Sequence, residues 1–428
     1  MSKPKARENP LRIAQEYASI LGPGLTTGAA DDDPSGIATY SQTGAQYGFQ
    51  LLWLAPFSLP LMSVVQEMCA RIGLVTGEGL AANIRRHYPA WVLHLTTALL
   101  FLANTLNLGA DLGAMAKATQ LLLPWFPFAA LVALFTGAIL LLQIFTTYAR
   151  YARYLKYSTL ALLAYVATAF TIHLDWGQVL SNTFVPHLAF TQDQFFLICA
   201  ILGTTISPYL FFWQTSQEVE EEILKGKGTL AERRKTTPPS DLRRMRIDTW
   251  LGMAFSNVIM FFIIATCAAT LGAHGVKNIE TADQAASALR PLAGDVAYLL
   301  FALGIIGTGM LAVPVLAGSV SYAISESFRW KTGLYRKFRK AYAFYGIITA
   351  AMAVGVVMNF VGIDPIKALI YSALANGLVA PVVLVLIVLL SSNRKIMGKR
   401  VNHPVATGIG WLTIGLMTLA GFAVLLSL

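Results

Sequence analysis

Apolar stretches of about 20 residues, the length that crosses the hydrocarbon of a bilayer, recur from one end of this sequence to the other. A chain built this way must satisfy its backbone polar groups within each segment, which leaves helices as the spanning element. Composition agrees. Of 428 residues, 56% are hydrophobic and only 13% charged, and the mean hydropathy is +0.59. A soluble domain carries roughly a quarter charged residues. The three cysteines, Cys69, Cys199 and Cys267, fall inside apolar runs far apart in sequence, which fits neither a disulfide framework nor a zinc site. Met1 to Pro10 is polar and precedes a long spanning segment without a small-residue cleavage site, so no removable signal peptide is expected.

The pattern predicts eleven spans. The first runs from about Arg12 to Gly48, followed by Leu51–Ile72, Trp91–Leu123, Phe126–Phe145 and Leu155–Leu174. The sixth covers about Gln194–Val219. Then come Thr249–Leu271, Val296–Ser325, Ala341–Val361, Lys367–Ser391 and Val405–Leu428. Lysine and arginine test this map, because cytoplasmic loops concentrate them. With the N-terminus in the cytoplasm, 28 of the 32 fall inside. Only Lys277, Arg290 and Lys367 fall outside, and Lys117 lies within the third span. An inner-membrane protein with an extracytoplasmic C-terminus is expected. The net charge of +10 therefore reports topology rather than nucleic-acid binding. The longest inner loop, Lys225 to Arg246, reads as a flexible Pro-rich linker.

Two spans are broken. Halfway along the first stand Asp31-Asp32-Asp33-Pro34-Ser35-Gly36. Each carboxylate at that depth costs at least ~2.5–3.5 kcal/mol, and such residues face an interior pathway. Pro34 removes a donor and Gly36 relaxes the backbone, so the helix unwinds and frees carbonyls. Freed carbonyls beside a carboxylate make a cation site. The sixth span repeats the device at Gly203-Thr204-Thr205-Ile206-Ser207-Pro208-Tyr209. Paired broken helices five spans apart point to an inverted-repeat transporter with a midplane site. The repeats would be 12–174 and 194–391, with 405–428 appended, all one transmembrane domain. Thr204, Thr205 and Ser207 either supply oxygens to a site or bond back to the preceding helical turn. Asn104 and Asn107 share a face with Asp111 and form either a pathway stripe or an interhelical patch. Asn376-Gly377 closes the site or simply packs. The run Glu218, Glu220, Glu221, Glu222 reads as a solvated helix end paired with Lys225, and Glu67 as an i, i+4 partner of Arg71. The six histidines have no metal-ligand spacing, and no phosphate loop of the Walker type is present, so neither an enzyme nor an ATP-driven pump is expected.

These residues resemble a known family. Gly22-Pro23-Gly24, nine positions before Asp33-Pro34, with Gly36 and Leu51-Leu52-Trp53, is similar to the first span of the Nramp divalent-metal transporters. Arg71-Ile72-Gly73-Leu74-Val75-Thr76-Gly77 resembles the stretch after their second span. Asp111-Leu112 and Ser207-Pro208 fit their third and sixth. The resemblance implies an all-α, LeuT-like fold with alternating access, a divalent metal ion as substrate, and no cofactor or obligate protein partner.

The family's Asp-Pro-Gly-Asn becomes Asp33-Pro34-Ser35-Gly36, with the carbonyl of Ala30 as a further implied ligand. Its Ala-X-X-Met-Pro-His becomes Thr204 through Tyr209, with Ser207 for the metal-binding Met and Tyr209 for the His. Its Asp-Leu-Ala-Glu becomes Asp111-Leu112-Gly113-Ala114. Losing a thioether leaves only oxygen donors, which suit Mg²⁺ and also Mn²⁺. The departures resemble the Nramp-related magnesium transporters, a branch that carries both ions. Asp33 is the expected principal ligand, with Asp31 and Asp32 as further ligands or as the lining of the approach. Losing the His and the acidic residue argues for uptake without a proton, since neither Tyr209 nor Ala114 titrates near neutrality. The competing readings are a proton-coupled Mn²⁺/Fe²⁺ symporter and a sodium-coupled amino-acid symporter of the same fold.

Overall fold

The computed structural model describes residues 22–427 apart from 190, 236, 278, 280, 281, 363 and 364, with the backbone alone at 148, 282–293, 365–367 and 427. The expected start of the first span at Arg12 and the basic residues before it lie outside the described residues, as do the side chains of Arg290 and Lys367. The principal helices are α1 Pro23–Asp31, α2 Pro34–Tyr47, α3 Leu54–Thr76, α4 Leu80–His87, α5 Ala90–Leu122, α6 Phe128–Phe145, α7 Gln192–Thr205, α8 Pro208–Leu224, α9 Pro239–Cys267, α10 Ala282–Ser327, α11 Tyr342–Met358, α12 Pro365–Ser392 and α13 Pro404–Ser427. There is no strand among the described residues.

Among the described residues, eight helices are long and apolar enough to cross a membrane, counting α7 and α8 as one. The remaining expected spans are shorter helical pieces. The first is α1 and α2; the fifth is Tyr148–Ser158 and Leu163–Ala169 joined by a tighter turn; the ninth is α11, with 17 residues. The breaks fall where proline removes a donor. Pro34 opens α2 and Pro208 opens α8, each just inside a helix start, where the missing N–H costs nothing.

The first half-helix is held by α9. Gly24, Gly28 and Gly252 bring the two backbones so close that a Cβ at any of them would collide with main chain of the opposite helix. Small residues at crossings are how membrane helices gain contact. Asp248 on α9 caps the near end, accepting from the N–H groups of Gly22 at 2.8 Å and Gly24 at 2.7 Å. A carboxylate there answers both the orphan donors and the helix dipole. On the opposite side Gly203 of α7 meets the backbone of Ala373 and Gly377 on α12, so the Asn376-Gly377 pair includes a packing contact.

Two expectations about the end of α8 and the loop after it are corrected. Glu218, Glu220 and Glu222 are buried rather than solvated. The C-terminal end of α8 lies beneath α10 and the segment after it, so Glu220 accepts from Tyr322 Oη and the Leu334 N–H, while Glu222 pairs with Lys227 at 2.7 Å. The 225–246 loop is not a free linker. It holds the helix Leu230–Lys235, and Arg233 and Arg234 donate to the carbonyls of Gly77 and Thr76. Glu67 does approach Arg71, at 3.8 Å, but Arg246 stands closer at 2.9 Å.

Candidate metal site

The backbone of the first break decides where the site forms. Asp32 leaves α1 at φ −86°, ψ 49°, and Asp33 is extended at φ −65°, ψ 170°. Asp33 is thereby the N-cap of α2. Its Oδ1 accepts from the Gly36 N–H at 2.8 Å and from Ser35 Oγ at 2.6 Å, as short polar side chains do at helix starts.

Its other oxygen faces the bundle. Asn107 Nδ2 on α5 donates to Oδ2 at 2.8 Å, and Ser372 Oγ on α12 donates to Asn107 Oδ1 at 2.7 Å. The hydroxyl of Tyr209, in the first turn of α8, reaches Asp33 Oδ2 at 3.2 Å and the carbonyl of Ala30 at 2.7 Å. That carbonyl is beyond the hydrogen-bonded part of α1 because the helix ends at Asp31. Two oxygen acceptors thus converge on one point, contributed by both halves of the break and sealed by α5, α8 and α12. Asp33, Ala30, Asn107 and Tyr209 are all buried.

The other expected residues divide. Thr204 Oγ1 is buried, lies beside the Tyr40 hydroxyl and faces Gly36, where a Cβ would stand 3.0 Å from it. Gly36 contributes space and a backbone donor rather than a ligand. Ser207 turns its hydroxyl back to the carbonyls of Gly203 at 2.7 Å and Thr204 at 2.8 Å, and Thr205 bonds back to Ile201. For these two, back-bonding is what the helix does. Asp111 is buried next to Asp33 and within reach of the Ser35 backbone N–H. Asp31 and Asp32 are also buried; Asp31 Oδ2 accepts from Ser256 Oγ on α9 at 2.8 Å. Asn104 belongs to an interhelical bond, donating to Ser319 Oγ at 2.8 Å, and so leaves the stripe that Asn107 joins.

Sequence reasoning did not find Ser372, Ser256 or Tyr40, whose hydroxyl faces Asp31, Asp32 and Asp33. Each is an ordinary residue on its own helix. Tyr40 alone carried a signal, lying one turn past Gly36 on the half-helix that starts at Asp33.

With this geometry in view, the comparisons are decisive. The family profile described as natural resistance-associated macrophage protein-like, Nramp, matches residues 24–427. The chain belongs to the Nramp family. The divalent metal cation transporter MntH of Klebsiella pneumoniae subsp. pneumoniae is 28% identical over 431 aligned positions, covering 97% of this chain and 96% of that protein. Among solved structures, the manganese transporter of Eremococcus coleocola superposes with a TM-score of 0.72 at 18% identity, over 99% of this chain and 89% of its own. MHP1, a nucleobase-cation-symport-1 family transporter, shares the fold at a TM-score of 0.57 and 16% identity, over 95% and 91%. For this Nramp chain, the all-helical fold expected from its apolar spans is thus one that solved transporters adopt.

Proposed function

We propose that this Nramp protein carries divalent metal ions across the membrane by alternating access, with Mg²⁺ and Mn²⁺ as substrates and no proton partner. One observation carries the reading. The Ala30 carbonyl and Asp33 Oδ2 lie 2.7 and 3.2 Å from the single hydroxyl of Tyr209, so two oxygen acceptors face one point that a cation displacing the hydroxyl would share. Thr204 Oγ1 is a third oxygen at the same break, and Asp31, Asp32 and Asp111 add negative charge around it. The names of the relatives, a divalent metal cation transporter and a manganese transporter, support the ion class.

The preference for hard ions rests on the donors. Where the resembled pattern places a thioether there is Ser207, whose hydroxyl is already engaged, so the set contains oxygen alone. Mg²⁺ favours oxygen and retains several waters, and Mn²⁺ accepts the same donors. Uptake without a proton rests on Tyr209 and Ala114 standing at positions where the pattern has titratable groups. An inward-negative potential contributes about 2.3 kcal/mol per charge per 100 mV, which favours entry of a divalent ion unaided. In this reading residues 12–174 and 194–391 are inverted repeats in a LeuT-like arrangement of eleven spans, with 405–428 appended. The N-terminus is cytoplasmic and the C-terminus extracytoplasmic, as the distribution of basic residues supports.

The test is reconstitution in liposomes with Mg²⁺, Mn²⁺ and H⁺ fluxes followed together. Uptake of both metals without acidification is expected. Mn²⁺ entry with stoichiometric protons and no competition from Mg²⁺ would sink the reading in favour of a proton-coupled symporter. Asp33→Ala should abolish uptake, and Ser207→Met should shift preference toward Mn²⁺.

A further inference from the structure

Asp33 serves one side of the break and its two neighbours serve the other. The Asp33 carboxylate is fully engaged by Ser35, Gly36, Asn107 and Tyr209. Asp31 turns toward α9, where Ser256 Oγ donates to its Oδ2 at 2.8 Å. Asp32 lies beside the same serine and beside Tyr165. The bend between Asp32 and Asp33 produces this division, because consecutive side chains leave an unwound backbone in different directions.

Three oxygens on that side have no hydrogen-bond partner: Oδ1 of Asp31 and both oxygens of Asp32, in residues 0% exposed. The hydroxyl of Tyr40 is equally buried and lies near Asp31, Asp32 and Asp33 and beside Thr204. None of the ion pairs among the described residues involves Asp31 or Asp32. Buried polar atoms without partners are rare, and an ion is one of their few explanations. A buried carboxylate keeps its charge only when it is paired or coordinated, and otherwise holds a proton. Two carboxylates and two hydroxyls, with no guanidinium or ammonium paired to them among the described residues, are the donors that a cation would use.

We propose that Asp31, Asp32, Ser256 and Tyr40 make a second cation site, for a dehydrated alkali ion such as Na⁺, separate from the divalent site at Asp33. The ion class follows from the donors: carboxylate and hydroxyl oxygens alone, all in buried residues. A monovalent ion gives up its hydration at lower cost and needs only the oxygens present. The proposal rests on the metal-transport reading only for what occupies Asp33.

The experiment is equilibrium binding of ²²Na⁺ to the purified full chain in detergent, with choline as the background cation, and of Mn²⁺ to the same samples. Saturable Na⁺ binding is expected. Asp32→Asn and Ser256→Ala should each weaken it by about tenfold or more, the scale on which metal sites respond to such losses. Ser256→Ala should still bind Mn²⁺, which shows that it folds, and Asp32→Asn should elute as a single folded species in size-exclusion chromatography. Asp33→Ala should lose Mn²⁺ and keep Na⁺. The proposal falls if the wild-type chain binds no Na⁺, if Asp32→Asn and Ser256→Ala bind it unchanged, or if Asp33→Ala abolishes it. A chain that binds Na⁺ but no divalent ion would instead overturn the metal-transport reading and leave this site standing.

Discussion

The hydroxyl of Tyr209 stands 3.2 Å from Oδ2 of Asp33 while donating at 2.7 Å to the Ala30 carbonyl, so one proton serves the two oxygens proposed to hold the metal. A cation arriving between them must displace that proton donor. Tyr209→Phe removes the competitor and leaves both acceptors buried and less satisfied. The metal-free protein should lose about 1–3 kcal/mol of stability, the cost of an unpaired buried polar group. Mn²⁺ should then raise the melting temperature more in Tyr209→Phe than in the wild type. A smaller Mn²⁺ shift in the variant would mean that the hydroxyl is itself a ligand. Thermal denaturation with and without Mn²⁺ separates these outcomes.

Asn107 orients Asp33 from the third expected span, and Ser372 orients Asn107 from the tenth. Removing such a support costs 10–100-fold in metal affinity at comparable sites. Asn107→Ala should therefore weaken Mn²⁺ binding by about tenfold or more, and Ser372→Ala should weaken it less. Because the serine acts through the asparagine, the double variant should bind no worse than Asn107→Ala alone. Additive losses in a binding titration would show that Ser372 acts on the ion by another route.

How much of this was legible in the sequence follows from what kind of interaction holds each part. The two breaks could be read because proline and glycine act locally, and Asp33 because a carboxylate inside an apolar run is costly wherever it points. Asn107 was visible through its helical spacing from Asp111. Ser256 and Ser372 were not, because each meets its partner across more than 200 positions of chain and carries no unusual chemistry of its own. The cluster Glu218 to Glu222 was misread for a related reason. Charge in a sequence looks solvated until tertiary structure covers it, and here Tyr322 and Leu334 do so. Ser207 and Thr205 kept two readings open because a hydroxyl in a helix always has the preceding turn as a rival partner.

The crossing of α1 with α9 makes its own prediction. A methyl group at Gly28 would collide with the backbone carbonyl of Gly252, and neither helix can retreat while Asp248 ties their ends together. Gly28→Ala should cost about 1–3 kcal/mol, as overpacking does, and lower the melting temperature accordingly. A methyl group at Gly137 on α6 would meet nothing within 4 Å, so Gly137→Ala should leave stability unchanged or slightly improved. Equal melting temperatures for the two variants would show that the crossing is loose.

Gly36 and Thr204 face each other across the two breaks, where the resembled pattern has Asn and Ala. A Cβ at position 36 would stand 3.0 Å from Thr204 Oγ1 and 3.2 Å from the Asp31 carbonyl. The pair therefore reads as an exchange of volume, with the oxygen moved from the first broken helix to the sixth. Gly36→Asn alone should be overpacked by about 1–3 kcal/mol and should lose metal uptake. Thr204→Ala alone removes an oxygen donor and should weaken uptake without a comparable loss of stability. The double variant should regain stability relative to Gly36→Asn, because the smaller residue admits the amide, and should recover uptake with an amide oxygen in place of the hydroxyl. Melting temperatures and Mn²⁺ uptake of all four proteins decide it. A double variant no more stable than Gly36→Asn would show that the Asp31 carbonyl, not Thr204, limits the space at the break.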